Sequence, residues 1–427
     1  MNRKKYILII ILIIIIITGV LLLIFTRDTS FGILKEGKGF SSSEFDMMKM
    51  DPRSVEKISD GYIMISNINN NFEESDNDIR ITKYDKLFKR LWSYDYIANK
   101  TTKKENKHLI TYVNKMIEKD NKLFFTIDIW SDATYYDDKS ILLILNKNGS
   151  LYDEYTFDEN IVSMVSVDNE IVTLYGHSQL YEYNYKNRKE STYDMDNFNE
   201  SSFKILSKNN DEYFVQSSVF YYISEDDQHI AEGTNSIYIL DEKFNTKKTL
   251  NLDEEIGVKS VDINYEDARM IDERIYVSYF VNGKDEEEYE EIDEDVYGYP
   301  GLLVVDKDLN VINNIKYTHE ITKKKFKEIA DYEIYDYYVY NDELYILIGL
   351  DKVLIDKYDK NGKELSSIKT KIPVPKEFEG DSYSSNEYNV IYYDDKKIIY
   401  YSIFSGDTEN SKKKVYKSIL KFAELEL

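Results

Sequence analysis

Residues 341–362 read NDELYILIGLDKVLIDKYDKNG, and this stretch predicts the fold of the chain. It contains two short apolar runs, 344–348 and 353–355, and each run lies beside turn-forming residues. Asn341-Asp342 precedes the first run, and Asn361-Gly362 follows the second. Asn, Asp and Gly favour hairpin turns because they tolerate positive φ angles. The stretch therefore predicts strands from two successive β-hairpins.

The same arrangement recurs along the chain, at intervals of 42–69 residues. In each copy a turn of two polar or glycine residues is followed by a β-rich apolar run. The seven turns are Asp60-Gly61, Asp120-Asn121, Asp168-Asn169, Asn210-Asp211, Asp272-Glu273, Asn341-Asp342 and Asp394-Asp395. A second hairpin follows in nearly every copy, as at 141–151, 237–246 and 302–310. Two hairpins make a four-stranded sheet, so the sequence predicts seven such sheets.

This repeat resembles the β-propeller architecture over residues 55–427. The resemblance implies an all-β fold, a seven-bladed β-propeller with four-stranded blades, because radial closure protects the edge of each sheet. The Trp-Asp signature of WD40 blades is absent, and the chain has only two tryptophans, so no specific family is indicated. Because the last unit is short, residues 31–34 are predicted to supply its fourth strand. Two β-sandwich domains are the structural alternative.

The N-terminal segment predicts a membrane anchor. Residues 6–25 are aliphatic apart from Thr18 and Gly19, and at about 1.5 Å per residue a helix of this length spans the roughly 30 Å hydrocarbon core of a bilayer. Basic residues at 3–5 place the N-terminus in the cytoplasm. A cleaved signal peptide is the alternative, but its apolar region is shorter and ends at small residues. The predicted divisions are a cytoplasmic tail at 1–5, a single-pass signal anchor at 6–25, a juxtamembrane segment at 26–54 and an extracytoplasmic propeller at 55–427.

Charge and composition exclude several classes of function. Without the three basic residues at 3–5, the chain carries 52 basic and 79 acidic side chains, a net charge of −27. This charge repels phosphate backbones, so nucleic acid is excluded as the expected partner and a cationic partner is favoured. The chain has no cysteine, which excludes thiol nucleophiles, cysteine-based zinc sites and disulfides.

The predicted loops place much of the charge on one face. Five long connections between the second and third strands emerge on the same side of a propeller. They are 66–78, 131–139, 224–235, 282–300 and 405–413. Together they carry a net charge of −18, so an acidic loop face is expected. Lysines in two connections, 100–107 and 323–327, lie on the same predicted face. The second group is expected on a short helix at 321–330 with Ile321, Phe326 and Ile329 turned inward. Its lysines are expected to neutralise the run 285–295, with a separate anion site as the alternative.

The most acidic run, 285–295, is the one candidate for a cation site. Its acidic residues are Asp285, Glu286, Glu287, Glu288, Glu290, Glu291, Asp293, Glu294 and Asp295. Calcium takes several oxygen ligands, but no spaced calcium-loop motif occurs in the run. Blocks of like charge are more often solvated insertions, which is the favoured interpretation. No cofactor is therefore predicted, and calcium is the only alternative.

Other candidate sites are weaker. Trp130, Tyr135 and Tyr136 could stack on the apolar faces of a sugar, with an ordinary exposed loop as the alternative. The four histidines lie in four different units, and no serine-triad, phosphate-loop or dinucleotide motif occurs. Catalytic residues are therefore not assigned.

These patterns favour a binding module over an enzyme. The sequence predicts a membrane-anchored extracytoplasmic propeller that acts as a binding or scaffold module through its acidic loop face. The expected partner is another membrane or envelope protein. The alternative is an exported enzyme acting on polysaccharide or cell-wall material through carboxylates at the mouth of the propeller.

Overall fold

The structure is a computed structural model. It describes residues 35–36, 51–68, 78–87, 89–97, 109–131, 139–157, 160–198, 203–209, 211–225, 228–258, 263–282, 298–326, 332–349, 353–370, 383–393, 397–410 and 413–426, the last three ranges by their backbone alone. The predicted anchor at 6–25 lies outside these residues. Among the residues described, no helix has the length and apolar character needed to cross a membrane.

The described chain starts with a two-residue strand, β1 (Lys35–Glu36), and continues with six groups of four strands. The first two groups are β2 (Asp51–Ile58), β3 (Gly61–Asn67), β4 (Ile79–Asp85), β5 (Arg90–Tyr96), and β6 (Leu109–Lys119), β7 (Lys122–Ser131), β8 (Lys139–Asn146), β9 (Leu151–Phe157). The next two are β10 (Ile161–Asp168), β11 (Ile171–Gly176), β12 (Gln179–Asn184), β13 (Lys189–Asp194), and β14 (Phe203–Asn209), β15 (Glu212–Glu225), β16 (Gln228–Leu240), β17 (Thr246–Asn251).

Two short helices flank the fifth group. Helix α1 (Leu252–Ile256) precedes it, and α2 (His319–Phe326) follows it. The fifth and sixth groups are β18 (Ile263–Ile271), β19 (Arg274–Val281), β20 (Tyr299–Asp306), β21 (Val311–Lys316), and β22 (Glu333–Tyr340), β23 (Glu343–Gly349), β24 (Val353–Tyr358), β25 (Glu364–Thr370). The last strands are β26 (Tyr383–Tyr393), β27 (Lys397–Asn410) and β28 (Lys413–Glu426).

Each group forms an antiparallel sheet in which consecutive strands are neighbours, and we call these sheets blades 1 to 6. The first strands of successive blades contact one another, as β6, β10, β14 and β18 do. The first strands are therefore innermost and enclose the axis of the ring, which is the arrangement of a β-propeller. The predicted all-β propeller with four-stranded blades is confirmed, and the alternative of two β-sandwiches is wrong.

A further four-stranded sheet joins the two ends of the chain, with the strand order β1-β28-β27-β26. Strand β26 contacts both β22 and β2, so this sheet lies between blades 6 and 1. The pairing joins Lys35 to Glu424 and Glu36 to Ala423. The strand next to β28 is thus formed by 35–36, while the predicted segment 31–34 lies outside the described residues.

Apolar side chains from neighbouring blades form shared cores. Phe124 of blade 2 packs in one cluster with Met164 and Tyr181 of blade 3, and Val165 of blade 3 packs with Val215 of blade 4. Equivalent clusters join blades 1 and 2, 4 and 5, and 5 and 6. Blades 2 to 5 consequently share a core with a neighbour on each face, which makes this part of the propeller a rigid scaffold.

The turns explain why this sequence forms hairpins. Asp120 and Asn121, Asp272 and Glu273, and Asn341 and Asp342 all have positive φ, as a two-residue turn between twisted strands requires. In the hairpin of the third and fourth strands, the first turn residue caps the turn with its own side chain. Asp306 Oδ1, for example, accepts hydrogen bonds from the backbone N–H groups of Asp308 and Asn310 at 2.9 and 2.8 Å.

Two of the predicted long loops are strands instead. Strands β15 and β16 remain paired as far as Glu225 and Gln228, so 224–235 is mainly a hairpin rather than a loop. Strands β27 and β28 pair as far as Asn410 and Lys413, which corrects 405–413 in the same way. Continued pairing satisfies the backbone hydrogen bonds that an irregular loop leaves to water. The acidic connections 66–78 and 282–300 lie mostly outside the described residues.

Candidate functional site

A polar residue occupies the same level of the innermost strand in every blade. In blades 1 to 6 this residue is the one paired with the fifth residue of the second strand. The six residues, which we call the polar ring, are Ser54, Lys115, Ser163, Lys204, Asp267 and Asp336. In the sheet that joins the chain ends, the equivalent backbone position is Asn389, paired with Tyr401. In blades 1 to 6, the innermost strand therefore presents a polar residue at this level of the central channel.

β-Bulges place most of these residues. In five of the six blades a register shift immediately precedes the ring residue, as between Val113 and Lys115 or Tyr265 and Asp267. A bulge inserts one extra residue and redirects the next side chain, and bulges are frequent beside functional sites. The extra residue breaks the simple alternation of the strand, so a charged side chain can avoid the apolar cores on both faces of the blade.

A chain of ion pairs crosses the ring from blade 4 to blade 6. Lys204 Nζ lies 2.8 Å from Asp267 Oδ1, and Asp267 also pairs with Arg269. Arg269 Nη1 lies 2.7 Å from Asp336 Oδ1, and its guanidinium lies over the Tyr337 ring at 4.8 Å from the ring centre. Charge-assisted bonds of this kind are short and directional. They connect three blades on the channel side.

Ion pairing shifts the pKa values of Asp267 and Arg269. Burial favours the neutral form of Asp267, but Arg269 and Lys204 outweigh it and lower its pKa. Burial likewise opposes the charge on Arg269, but Asp336 and Asp267 raise its pKa. Asp267 and Arg269 therefore both remain ionised at neutral pH.

Two channel residues, Glu56 and Lys115, form no ion pair with a described side chain. Glu56 of blade 1 and Arg269 of blade 5 occupy the same level of their innermost strands. Each lies two residues from the polar-ring residue of its own strand. Burial, opposed by Arg269 and reinforced by Asp336, raises the pKa of Glu56. Burial and the charge of Lys204 lower the pKa of Lys115, while Asp267 opposes this effect. The Glu56 side chain is nevertheless exposed to solvent, so a ligand can reach its carboxyl group.

This arrangement is suited to binding a small charged group. The channel holds both ionic signs at fixed positions on rigid strands, and the two groups without ion pairs remain available. Perturbed ionisable groups in a concave site are typical of functional sites. Among the described residues, no group of three or more Asp, Glu or His side chains is arranged to hold a metal ion.

The residues singled out from the sequence are not brought together in the described part of the chain. The acidic run 285–295, Tyr135 and Tyr136 lie outside the described residues, and Trp130 lies in β7 with only its backbone described. His177 is exposed beside β11, whereas a ring nitrogen of His319 lies 3.2 Å from the carbonyl oxygen of Gly298.

One lysine of the second cluster pairs within blade 6, whereas the run 285–295 that the cluster was expected to neutralise lies outside the described residues. Lys325 on α2 pairs with the fully buried Asp356 at 2.8 Å and with Glu364 at 2.9 Å, both in blade 6. The helix begins at His319, and Ile321 is 38% exposed, so the expectation that Ile321 turns inward is wrong. The physical reason is that the helix directs Thr322, which is buried, toward the blades instead. Burial raises the pKa of Asp356, and Lys325 and Ser367 oppose that shift.

Sequence reasoning missed the polar ring. Its residues do not all have the same spacing from the turns, because a register shift follows Ser163 and Lys204 in their strands and adds one residue before the turn. A polar residue four positions before the end of the first strand, as at Ser54, Lys115, Asp267 and Asp336, is the one signal that the sequence offers.

Comparisons with known proteins support no family assignment. No protein-family model and no curated protein sequence matches this chain. Among solved structures, the chain is similar to KlAtg21 in its complex with the coiled-coil of AgAtg16, with 13% identity and a TM-score of 0.43, covering 86% of this chain and 99% of that one.

Two other solved structures show the same low level of similarity. The phage phi92 endosialidase has 10% identity and a TM-score of 0.40, with 93% of this chain and 69% of that one covered. A protein of unknown function from Bacteroides caccae has 13% identity and a TM-score of 0.33, with coverage of 66% and 85%. These values carry no inference about function. The chain is a β-propeller of no specific family.

Proposed function

We propose that this chain is a membrane-anchored binding module whose propeller lies outside the cytoplasmic membrane. The observation that carries the proposal is the propeller itself, in which shared cores join successive blades and hold the connecting loops on a rigid support. Binding residues are often found in loops on such scaffolds. The apolar run 6–25 and the basic residues before it support the anchor and its orientation.

The partner is another membrane or envelope protein that presents a basic surface. The connections 66–78 and 282–300 carry net charges of −4 and −8 and belong to blades 1 and 5. Complementary charge increases association rates and selects against wrong partners. Neutralising the acids of 285–295 with Asn and Gln should therefore reduce partner capture from native membranes, and more so at low salt than at high salt.

A control variant removes three acidic charges elsewhere. Glu242, Asp308 and Asp342 are exposed acids in the turns at the opposite end of the blades. Their replacement by Gln, Asn and Asn should leave capture unchanged. Equal loss in both variants, or no loss in the 285–295 variant, would contradict the proposed binding face.

The orientation is tested separately. The chain has no cysteine, so a single Asp308→Cys gives one unique label site. A membrane-impermeant maleimide should label this cysteine in intact cells of the source organism. Labelling only after lysis would contradict the extracytoplasmic placement.

We further propose that the sheet joining the chain ends acts as the seventh blade and closes the ring. Nine residues separate the predicted anchor from strand β1, so closure would hold the propeller close to the membrane. Deleting residues 28–50 removes β1 and should lower the melting temperature by several degrees. Replacing only 26–34 with a Gly/Ser linker of equal length keeps β1 and is the control. An unchanged melt in the deletion would refute ring closure by this segment.

A further inference from the structure

The lysines of the polar ring occupy one sector of the channel. Lys115 of blade 2 and Lys204 of blade 4 lie at the same level, and Ser163 of blade 3 lies at that level between them. Strand β10, which carries Ser163, contacts both β6 and β14. Three consecutive blades thus contribute two ammonium groups and one hydroxyl group to the same sector.

The packing of β10 indicates where Ser163 points. Ile161 and Met164 pack in the core shared with blade 2, whereas Val162 and Val165 pack in the core shared with blade 4. Ser163 belongs to neither core and is half-buried. A register shift immediately before it supplies the extra residue that turns it away from both neighbours. The direction left for its hydroxyl is the channel.

The two lysines differ in their partners. Lys204 pairs with Asp267, and the carboxylate of Asp267 also forms an ion pair with Arg269. Lys115 is half-buried, and no carboxylate of the described residues lies within ion-pair distance of it. The charged groups that act on Lys115 are Lys204, which repels it, and Asp267, which attracts it. A partly buried ammonium without a counter-charge is costly, and a bound anion would remove that cost.

We propose that the sector formed by Lys115, Ser163 and Lys204 binds a small oxyanion, either free or as the anionic group of a larger ligand. The lysines supply the charge, and the serine hydroxyl donates a hydrogen bond that fixes the orientation. The site lies in the channel and is independent of the acidic connections, so this inference does not depend on the proposed partner or location.

The lowered pKa of Lys115 gives the site a measurable signature. An anion bound between the lysines stabilises the charged form of Lys115, so binding must raise its pKa. By the same linkage, anion affinity must fall as pH rises through the pKa of Lys115, because the deprotonated amine no longer attracts the anion.

Calorimetric titration of the full chain with inorganic phosphate, sulfate and acetate tests the proposal. Lys115→Met should weaken binding roughly tenfold or more, the loss expected for one charge-assisted hydrogen bond. Lys119→Met is the matched control, because Lys119 lies on the same strand but pairs with Asp168 at the exposed turn. Binding of phosphate and sulfate but not of acetate would identify a site for tetrahedral oxyanions. Equal binding of acetate would identify a site that also accepts carboxylates.

A second readout uses the unsubstituted protein and needs a variant only to assign the signal. Lysines labelled by reductive ¹³C-methylation report their individual pKa values by NMR, and the Lys115 signal is the one lost in Lys115→Met. Its pKa should start below the ordinary lysine value and rise when the bound anion is added. No binding of any of the three anions, binding unchanged in Lys115→Met, or a constant pKa of Lys115 would overturn the proposal.

Discussion

Replacing Arg269 tests the ion-pair chain of the channel most sharply. Arg269→Met removes the guanidinium that lies over the Tyr337 ring and pairs with Asp336, which is 7% exposed. Breaking a buried ion pair costs about 3–5 kcal/mol, because the remaining charge is left desolvated. Arg269 itself is 43% exposed, so solvent screening reduces the expected loss to about 2–3 kcal/mol.

Urea unfolding of the full chain in detergent measures this loss. A double-mutant cycle with Asp336→Asn separates the pair from its surroundings, since the amide oxygen of Asn still accepts the hydrogen bond from the backbone N–H of Tyr337. The double variant should lose less stability than the sum of the single variants, by about 1 kcal/mol or more. Lys186→Met, which breaks the solvent-exposed pair with Glu170, should leave the stability nearly unchanged. A loss below about 0.5 kcal/mol for Arg269→Met, or strict additivity, would refute the reasoning.

Three other substitutions have distinct expected results. Gly149→Ala should lose about 1–3 kcal/mol in urea unfolding, because the residue has a φ of +86° and its new Cβ would lie 2.7 Å from the Trp92 ring. Lys325→Met leaves Asp356 buried without its cation, so the loss of stability should be larger at pH 8 than at pH 5, where Asp356 more readily binds a proton. Glu56→Gln should stabilise the protein at neutral pH. Because the pKa of Glu56 is raised in the folded state, that state binds more protons than the unfolded state, and stability falls as pH rises through that pKa. Glutamine carries no charge, so its advantage should vanish in acid, where Glu56 is protonated.

Each of these predictions has a control or a contradicting result. Gly257 has a φ of +83° but no atom within 4 Å of a new Cβ, so Gly257→Ala measures the conformational cost alone. Equal losses at the two glycines would contradict the proposed clash with Trp92. A pH-independent loss in Lys325→Met, or an effect of Glu56→Gln that persists at pH 3, would show that the assigned ionisations are wrong.

The hairpins could be predicted from the sequence because their signals are local. A turn such as Asn341-Asp342 requires positive φ at both residues, and few residue types tolerate that conformation. The apolar runs beside the turns become second and third strands, which are buried on both faces, as at Leu142 and Leu347. Repetition of this local pattern was sufficient to predict four-stranded blades.

The channel could not be predicted because its geometry depends on pairing between strands. Lys115, Ser163 and Asp267 share one level only after the register shifts in their strands are counted. The long hairpin of β15 and β16 was missed for a related reason, since polar residues such as Glu225 and Gln228 resemble a loop. Bulges and extended pairing are set by neighbouring strands and by tertiary packing, so they leave little local signal.

Photocrosslinking in native membranes tests most directly whether this propeller binds a partner through its acidic connections. A photoreactive residue placed at Glu288, within the acidic run 285–295, should capture a discrete membrane or envelope protein. The same photoreactive residue in place of Glu242, which lies in an exposed turn at the opposite end of the blades, should capture no protein. Capture of the same protein from both positions, or repeated capture of nothing from Glu288, would contradict the binding function proposed for this chain.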